Sequence, residues 1–409
     1  MQLNRNLWLI YAAAFLRALG VGLTGVILGL YLSRAGFSAT RVGVVIAAGL
    51  FGMALGTLVV ALRADHLGRR PTLVSLSLLS ALGGAGVALV GDLRGILLLA
   101  FLGMLNGMGR DRGAAYALEQ AIIPETATAD RRTWALAWYN MVIDAGHAMG
   151  ALAGLAPFLF RRWLGVDILA SYQLAFGVYA GLNLLAAVLY LGLSSQIEVV
   201  RAELGLGESG VKISLASKRI VARLAALSGL DSLGGGFLTS ALIAYWFFRR
   251  FGVGEEALAP LFFVIRVANA LSYLVAAWLA RRIGLVNTMV FTHIPSSLFL
   301  MAVPLAPSFA WAVGLLLARE CLVEMDVPTR QSYTVAVVAP HERSFATGVT
   351  NLTRNAAWAT APSFAGYFMQ HLALGAPLFL GGGIKIVYDL LLYAAFRKIK
   401  PPEEAASRP

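Results

Sequence analysis

The stretch LVVALRADHLGRRPTLV, Leu58 to Val74, has a second copy in the chain. LVAAWLARRIGLVNTMV, Leu274 to Val290, matches it in register at Leu, Val, Ala, Ala, Gly, Thr and Val. Each copy is an apolar run, a short basic turn and a second apolar run. Self-similarity at this separation means that one structural unit occurs twice.

Outward from these two stretches the chain is apolar almost throughout. Its 409 residues are 59% hydrophobic and only 13% charged, with a mean hydropathy of +0.74. Runs of about twenty apolar residues recur, the length that crosses a bilayer as a helix. Twelve spans are predicted: Leu7–Leu32, Val42–Leu62, Thr72–Val90, Gly95–Ile123, Thr133–Phe160, Ile168–Leu193, Ile220–Phe248, Leu258–Ala280, Thr288–Leu305, Phe309–Val338, Phe345–Gln370 and Ala376–Phe396. The expected fold class is an all-α membrane protein of twelve transmembrane helices in two pseudo-symmetric six-helix bundles, residues 1–193 and 220–396. A polar linker, 194–219, joins them, and a tail, 397–409, follows.

The net charge of +12 is distributed by side rather than concentrated in a nucleic-acid arm. With the N-terminus inside, one set of loops carries Arg5, Arg63, Arg69, Arg70, Arg131, Arg132, Arg201, Lys212, Lys218, Arg219, Arg281, Arg282, Arg343, Arg397, Lys398, Lys400 and Arg408. The other face has Arg34, Arg41, Arg94, Arg161, Arg162, Arg249 and Arg250. Both termini and the linker are therefore expected in the cytoplasm, in the cell's inner membrane, with no nucleic acid as partner. Cys321 is alone, which excludes an internal disulfide framework. The N-terminus leads straight into a full-length apolar run, so an uncleaved first helix is expected.

The repeat extends beyond the opening stretches. Arg132, Asn140 and Asp144 recur at the spacing of Arg343, Asn351 and Asn355, and LRALGVG (Leu16–Gly22) lies over LDSLGGG (Leu230–Gly236). Arg17 thus corresponds to Asp231. Arg17 is about ten residues from either edge of its run, roughly 15 Å deep, and needs a partner or a wet cavity there. The expected partner is Asp231 across the pseudo-axis.

Twelve spans, a central linker and ALRADHLGRRP between spans two and three resemble the major facilitator superfamily, whose loop motif reads Gly, three residues, Asp, Arg, one residue, Gly, Arg and then Lys or Arg. Asp65, Gly68, Arg69 and Arg70 match it, while Ala61 and His66 depart from it. MDVPTRQSY, Met325 to Tyr333, resembles a tract in bacterial members of the superfamily regarded as exporters. The resemblance implies a gating latch at Asp65 and Arg69, and a central cavity lined by spans one, four, seven and ten.

Those four spans hold most of the buried charge. Span four has Arg110, Asp111, Arg112 and Glu119; span ten has Arg319, Glu320, Glu324, Asp326 and Arg330. Glu320 and Glu324 fall one turn apart on one helix face, an arrangement that reads as structural ion pairing or as a proton carrier. Asp326 and Arg330 beside Pro328 read as a cytoplasmic latch or a packing pair. Arg17, Asp231, Arg112, Glu320, Glu324 and Asp144 are the candidates for cavity and coupling. His147 on span five is either a relay or hydrogen-bonded structure. Lys385 and Asp389, four apart, are expected to neutralise each other. Gly146, Gly150 and Gly154 allow a neighbouring backbone to approach closely.

No Gly-rich phosphate loop, no HExxH and no convincing nucleophile motif is present, so neither an ATP-driven pump nor an enzyme is expected, and no cofactor. A remote alternative, an intramembrane enzyme using Asp144 and His147, would not need matched halves. The expected function is a secondary transporter moving a small solute by alternating access as a monomer in the bilayer, by proton-coupled export of a small organic compound. The alternative is proton-coupled uptake of an anionic or zwitterionic metabolite held by Arg17, Arg112 or Arg330.

Overall fold

The computed structural model describes residues 5–126, 131–198, 215–327, 329–330 and 343–396. Expectations for Pro328, for Gln331 to Tyr333, for the tail 397–409 and for most of the linker lie outside the described residues. Nearly all the rest is helix: α1 Arg5–Arg34, α2 Ala39–Leu67, α3 Arg69–Leu89, α4 Leu93–Leu102, α5 Ala114–Thr126, α6 Arg132–Ala153, α7 Ala156–Leu164 and α8 Ile168–Leu191. Then follow α9 Leu215–Gly236, α10 Ser240–Phe251, α11 Glu255–Ile283, α12 Leu285–Ala302, α13 Phe309–Val323, α14 Arg343–His371 and α15 Ala376–Phe396.

Among the described residues, nine stretches are long and apolar enough to cross a membrane on their own. The predicted spans missing from that set are four, ten and eleven. Span four is not one helix. Gly103, Gly107, Gly109 and Gly113 fall within eleven residues, and the backbone unwinds between α4 and α5, with Met104 and Gly109 at φ of 51° and 68°. In span ten, α13 ends at Val323. Span eleven is a full 29-residue helix, α14, diluted by Thr350, Asn351, Thr353, Arg354 and Asn355.

Span seven, expected as one helix, is also two. Three consecutive glycines, Gly234 to Gly236, weaken the end of α9, and the Thr239 hydroxyl accepts from the Leu242 amide (3.3 Å) to start α10. Gly68 and Gly284, aligned in the repeat, open α3 and α12 at φ of 92° and 87°, a conformation that favours glycine. The duplicated sequence thus builds a duplicated turn.

The chain divides into two compact units. The first comprises Met1–Ser209 with Thr239–Phe263, and the second Gly210–Leu238 with Val264–Pro409. In the first, α1 runs through the centre: 83% of its apolar window is buried, against 44% for α2 and α3. It packs on α6, α8 and α10. Its approach to α6 is backbone to backbone, since a Cβ added at Gly150 would lie 2.1 Å from the Leu19 carbonyl oxygen, and one at Gly22 2.4 Å from that of His147. The second unit packs α9 on α14 and α15, and α12 on α13 and α15, around Leu224, Met289, Val290, Tyr388, Leu392 and Phe396.

Candidate functional site

Arg17 is buried at the centre of the first unit, and its counter-charges come from span four. Nε and Nη2 donate to Asp111 Oδ2 (3.2 and 2.8 Å), Nη1 and Nη2 to the two oxygens of Glu119 (2.9 Å each), and Nη1 also to the Tyr190 hydroxyl. A guanidinium has five N–H donors, and all five are committed. Glu119 is equally saturated. It accepts from Arg17 at both oxygens, from Tyr190 at 2.5 Å and from Tyr139 at 2.7 Å. Asp111 is not: among the described residues its Oδ1 receives only a 3.3 Å bond from the Gly113 amide. A cavity of about 50 Å³ lies beside it, lined also by Arg17, Asn106, Tyr179 and Asn183, with room for a few waters.

The unwound segment positions Asp111, and its backbone groups are met by side chains. Asn106 donates to the Arg110 carbonyl (2.6 Å) and accepts from the Met108 amide (2.7 Å), while the Asp111 amide donates to His147 Nε2 (2.7 Å). Non-helical backbone at membrane depth is tolerated only when it is satisfied in this way. His147 therefore acts as a backbone clamp at Nε2, and its Nδ1 lies 3.8 Å from Asp144. The Asp144 side chain is 55% exposed and sits in the field of Arg110 and Arg112.

In the second unit Asp231 is buried, and three cations converge on it: Lys385 Nζ at 2.8 Å, Arg330 Nη1 at 2.8 Å and Arg354 Nη1 at 3.7 Å. Arg330 also pairs with Asp326 at 2.9 Å. The pairing of Lys385 with Asp389 is corrected. Lys385 turns to Asp231 and to His293 Nε2 (3.3 Å), and Asp389 holds His293 Nδ1 at 3.0 Å. The expectation that Arg17 needs Asp231 is corrected as well, because each finds its counter-charges within its own unit. Glu320 is buried against Arg319, its neighbour in sequence, and Glu324 accepts from Tyr273 at 3.4 Å.

The loop motif is a third cluster. Asp65 Oδ1 accepts from Arg69 Nε (2.7 Å), and the buried Arg69 guanidinium also forks onto Glu125. The helix-terminal amides of Arg69 and Arg70 are met by Glu198, whose carboxylate accepts from them at 2.6 and 3.0 Å. The positive φ of Gly68 opens this end of α3. Glu125, in the last turn of α5, and Glu198, after α8, are single acids that carry no spacing signal in the sequence.

Comparison with known proteins bears on the fold and the family. An uncharacterized membrane protein of Saccharomyces cerevisiae is 26% identical over 96% of this chain and 94% of its own. Among solved structures, a bacterial homologue of the human lysosomal transporter Spinster, inward-facing and occupied, superposes with a TM-score of 0.75 at 17% identity, covering 96% of each chain. A D-xylose–proton symporter follows at 0.74 and 16%, with 97% and 98% covered. A peptide transporter in complex with sulfate gives 0.73 and 15%, with 96% and 94% covered. The family model of the Major Facilitator Superfamily matches residues 10–323, most of the chain, and the protein is a multi-pass membrane protein that belongs to that superfamily.

Proposed function

We propose that this chain moves a small organic solute across the cell's inner membrane by alternating access, as a monomer with both termini in the cytoplasm, and that protons drive it in the direction of export. The proposed bundles are residues 1–193 and 220–396. Superfamily membership supports solute transport. The observation that supports proton coupling is the Arg17 cluster, where two carboxylates face one guanidinium. The surplus negative charge is most simply compensated by a proton, because burying an uncompensated charge is costly. Lone pairs choose the acid: Glu119 has none to spare, whereas Asp111 Oδ1 has room and borders the cavity. Arg17, with every donor used, organises the acids rather than holding the solute.

The test begins with thermal stabilisation of the purified protein across a metabolite and drug panel, which identifies a ligand of the folded state. That ligand is then followed in proteoliposomes. Asp111→Asn should abolish accumulation driven by a pH gradient while leaving counterflow, which needs no net proton movement. Accumulation undiminished in Asp111→Asn rejects the assignment.

A second reading, uptake of an anionic or zwitterionic metabolite, is favoured by the three cations around Asp231. Opposite orientations of the pH gradient separate it from export.

A further inference from the structure

Asp231 has more positive partners than neutralisation requires. One cation offsets one carboxylate, yet Lys385 from α15, Arg330 from the segment after α13 and Arg354 from α14 all point at it. The three are not equivalent. Lys385 and Arg330 are at hydrogen-bond distance, and Arg330 has a second acid in Asp326. Arg354 stands at 3.7 Å, beyond a direct hydrogen bond, with its guanidinium 4.8 Å over the ring of Trp358.

One turn beyond Asp231 on α9, Gly235 is only half-buried and has no side chain. A Cβ there would lie 3.3 Å from Trp358 Nε1 and 4.0 Å from Lys385 Nζ. The space that the glycine leaves is thus bordered by an indole N–H and an ammonium, with the Arg354 fork on the adjoining turn of α14. These groups are donors only. Two of them, Lys385 and Arg354, face the carboxylate of Asp231.

We propose that Lys385, Arg354 and Trp358 form a subsite for a carboxylate-bearing solute, and that Asp231 is the resident anion that the solute's carboxylate displaces. Arg354 supplies the planar two-pronged donor that suits a carboxylate, already oriented by stacking on Trp358. Lys385 turns from Asp231 to the incoming group, while Arg330 and Asp326 keep Asp231 and its unit in place. Glycine at 235 is what lets the solute approach. The proposal rests on reading the chain as a solute carrier, in either direction, and requires nothing of proton coupling.

Equilibrium binding to the purified full chain in detergent tests it, with sodium acetate as probe, acetamide as its neutral counterpart and sodium chloride at matched ionic strength. Asp231→Ala removes the resident anion and leaves its cations behind. Acetate should raise the melting temperature of this variant by about 5 °C, in the range expected for a ligand well above its Kd, and acetamide and chloride should not. The isosteric Asp231→Asn should behave alike, and serves if the alanine variant does not fold. Wild type should respond only at higher acetate, because Asp231 competes.

Arg354→Gln, which leaves both close partners of Asp231, should lose the response in the Asp231 variants and in wild type. Equal shifts from acetate and acetamide, or a response that survives Arg354→Gln, overturn the proposal. So does stabilisation by phosphatidylglycerol with none by acetate, which would make the site a lipid-headgroup contact. Failure of pH-driven transport would leave these binding results standing, so the two readings fail separately.

Discussion

Glu255, at the head of α11, is buried against Tyr172 of α8, whose hydroxyl donates to its carboxylate at 2.6 Å across 83 residues of sequence. Arg161, in the last turn of α7, completes the carboxylate's partners and donates onward to Ser171 at 3.1 Å. Beside it α10 is seated on α1, with the Ala241 amide on the Gly107 carbonyl (2.9 Å) and the Arg34 guanidinium 4.5 Å over the Phe248 ring. Arg161→Gln leaves Glu255 buried without its cation and should cost about 3–5 kcal/mol. The double variant Arg161→Gln with Glu255→Gln should recover much of that. A double-mutant cycle on melting temperature reads the coupling, and strict additivity would dismiss it.

The Asp65–Arg69–Glu125 cluster is expected to act on rate. Asp65→Asn should slow transport several-fold while leaving the equilibrium affinity of the stabilising ligand within about twofold, because the cluster is separate from the Arg17 cavity. Glu198→Gln should act differently, since the cap keeps its acceptor but loses its charge at the start of α3. Its cost is about 0.3–1 kcal/mol, seen in thermal melts rather than in turnover.

Gly150→Val should prevent stable assembly of the first unit. Even the first carbon of the side chain would meet the Leu19 carbonyl at 2.1 Å, and only backbone displacement could relieve it. Expression with fluorescence-detected gel filtration checks this. Gly177→Val, at a position with nothing within 4 Å of the added carbon, is the control that should elute as wild type.

Arg17→Ala and Asp231→Ala should each be strongly destabilising, for unlike reasons. The first leaves Asp111 and Glu119 facing one another, and the second leaves Lys385, Arg330 and Arg354 without their common acid. The two losses should add in the double variant, because neither residue is among the other's counter-charges within its unit. Recovery in the double variant would restore the pairing expected from the repeat.

The difference between that expectation and the structure marks how far sequence reaches in this chain. Apolar run lengths yield the helices, and the match of Gly68 to Gly284 yields a turn made twice. Both are local properties, written in residue type. The partner of a buried charge is settled by which helices pack, and Arg17 had Asp111 and Glu119 available from a span whose fracture at Gly103–Gly113 changes where each side chain points. Lys385 and Asp389 follow the same rule. Their i,i+4 spacing suits a pair on an isolated helix, but tertiary neighbours at Asp231 and His293 offered each a better one. The glycines of α6 were legible because a missing side chain has one consequence wherever it is, a surface that another backbone can touch.

The unwound stretch between α4 and α5 sets an order of events at the ribosome. Its Asn106 carbonyl is met by Thr24, its Asp111 amide by His147, its Gly107 carbonyl by the Ala241 amide and its Met108 carbonyl by Ser240. The last two donors are synthesised more than 130 residues after the groups they satisfy. A nascent chain halted before α10 would therefore hold bare peptide groups at bilayer depth, a state that water or a chaperoning insertase must shelter until α10 arrives. The first half of this protein is completed by a piece of the second.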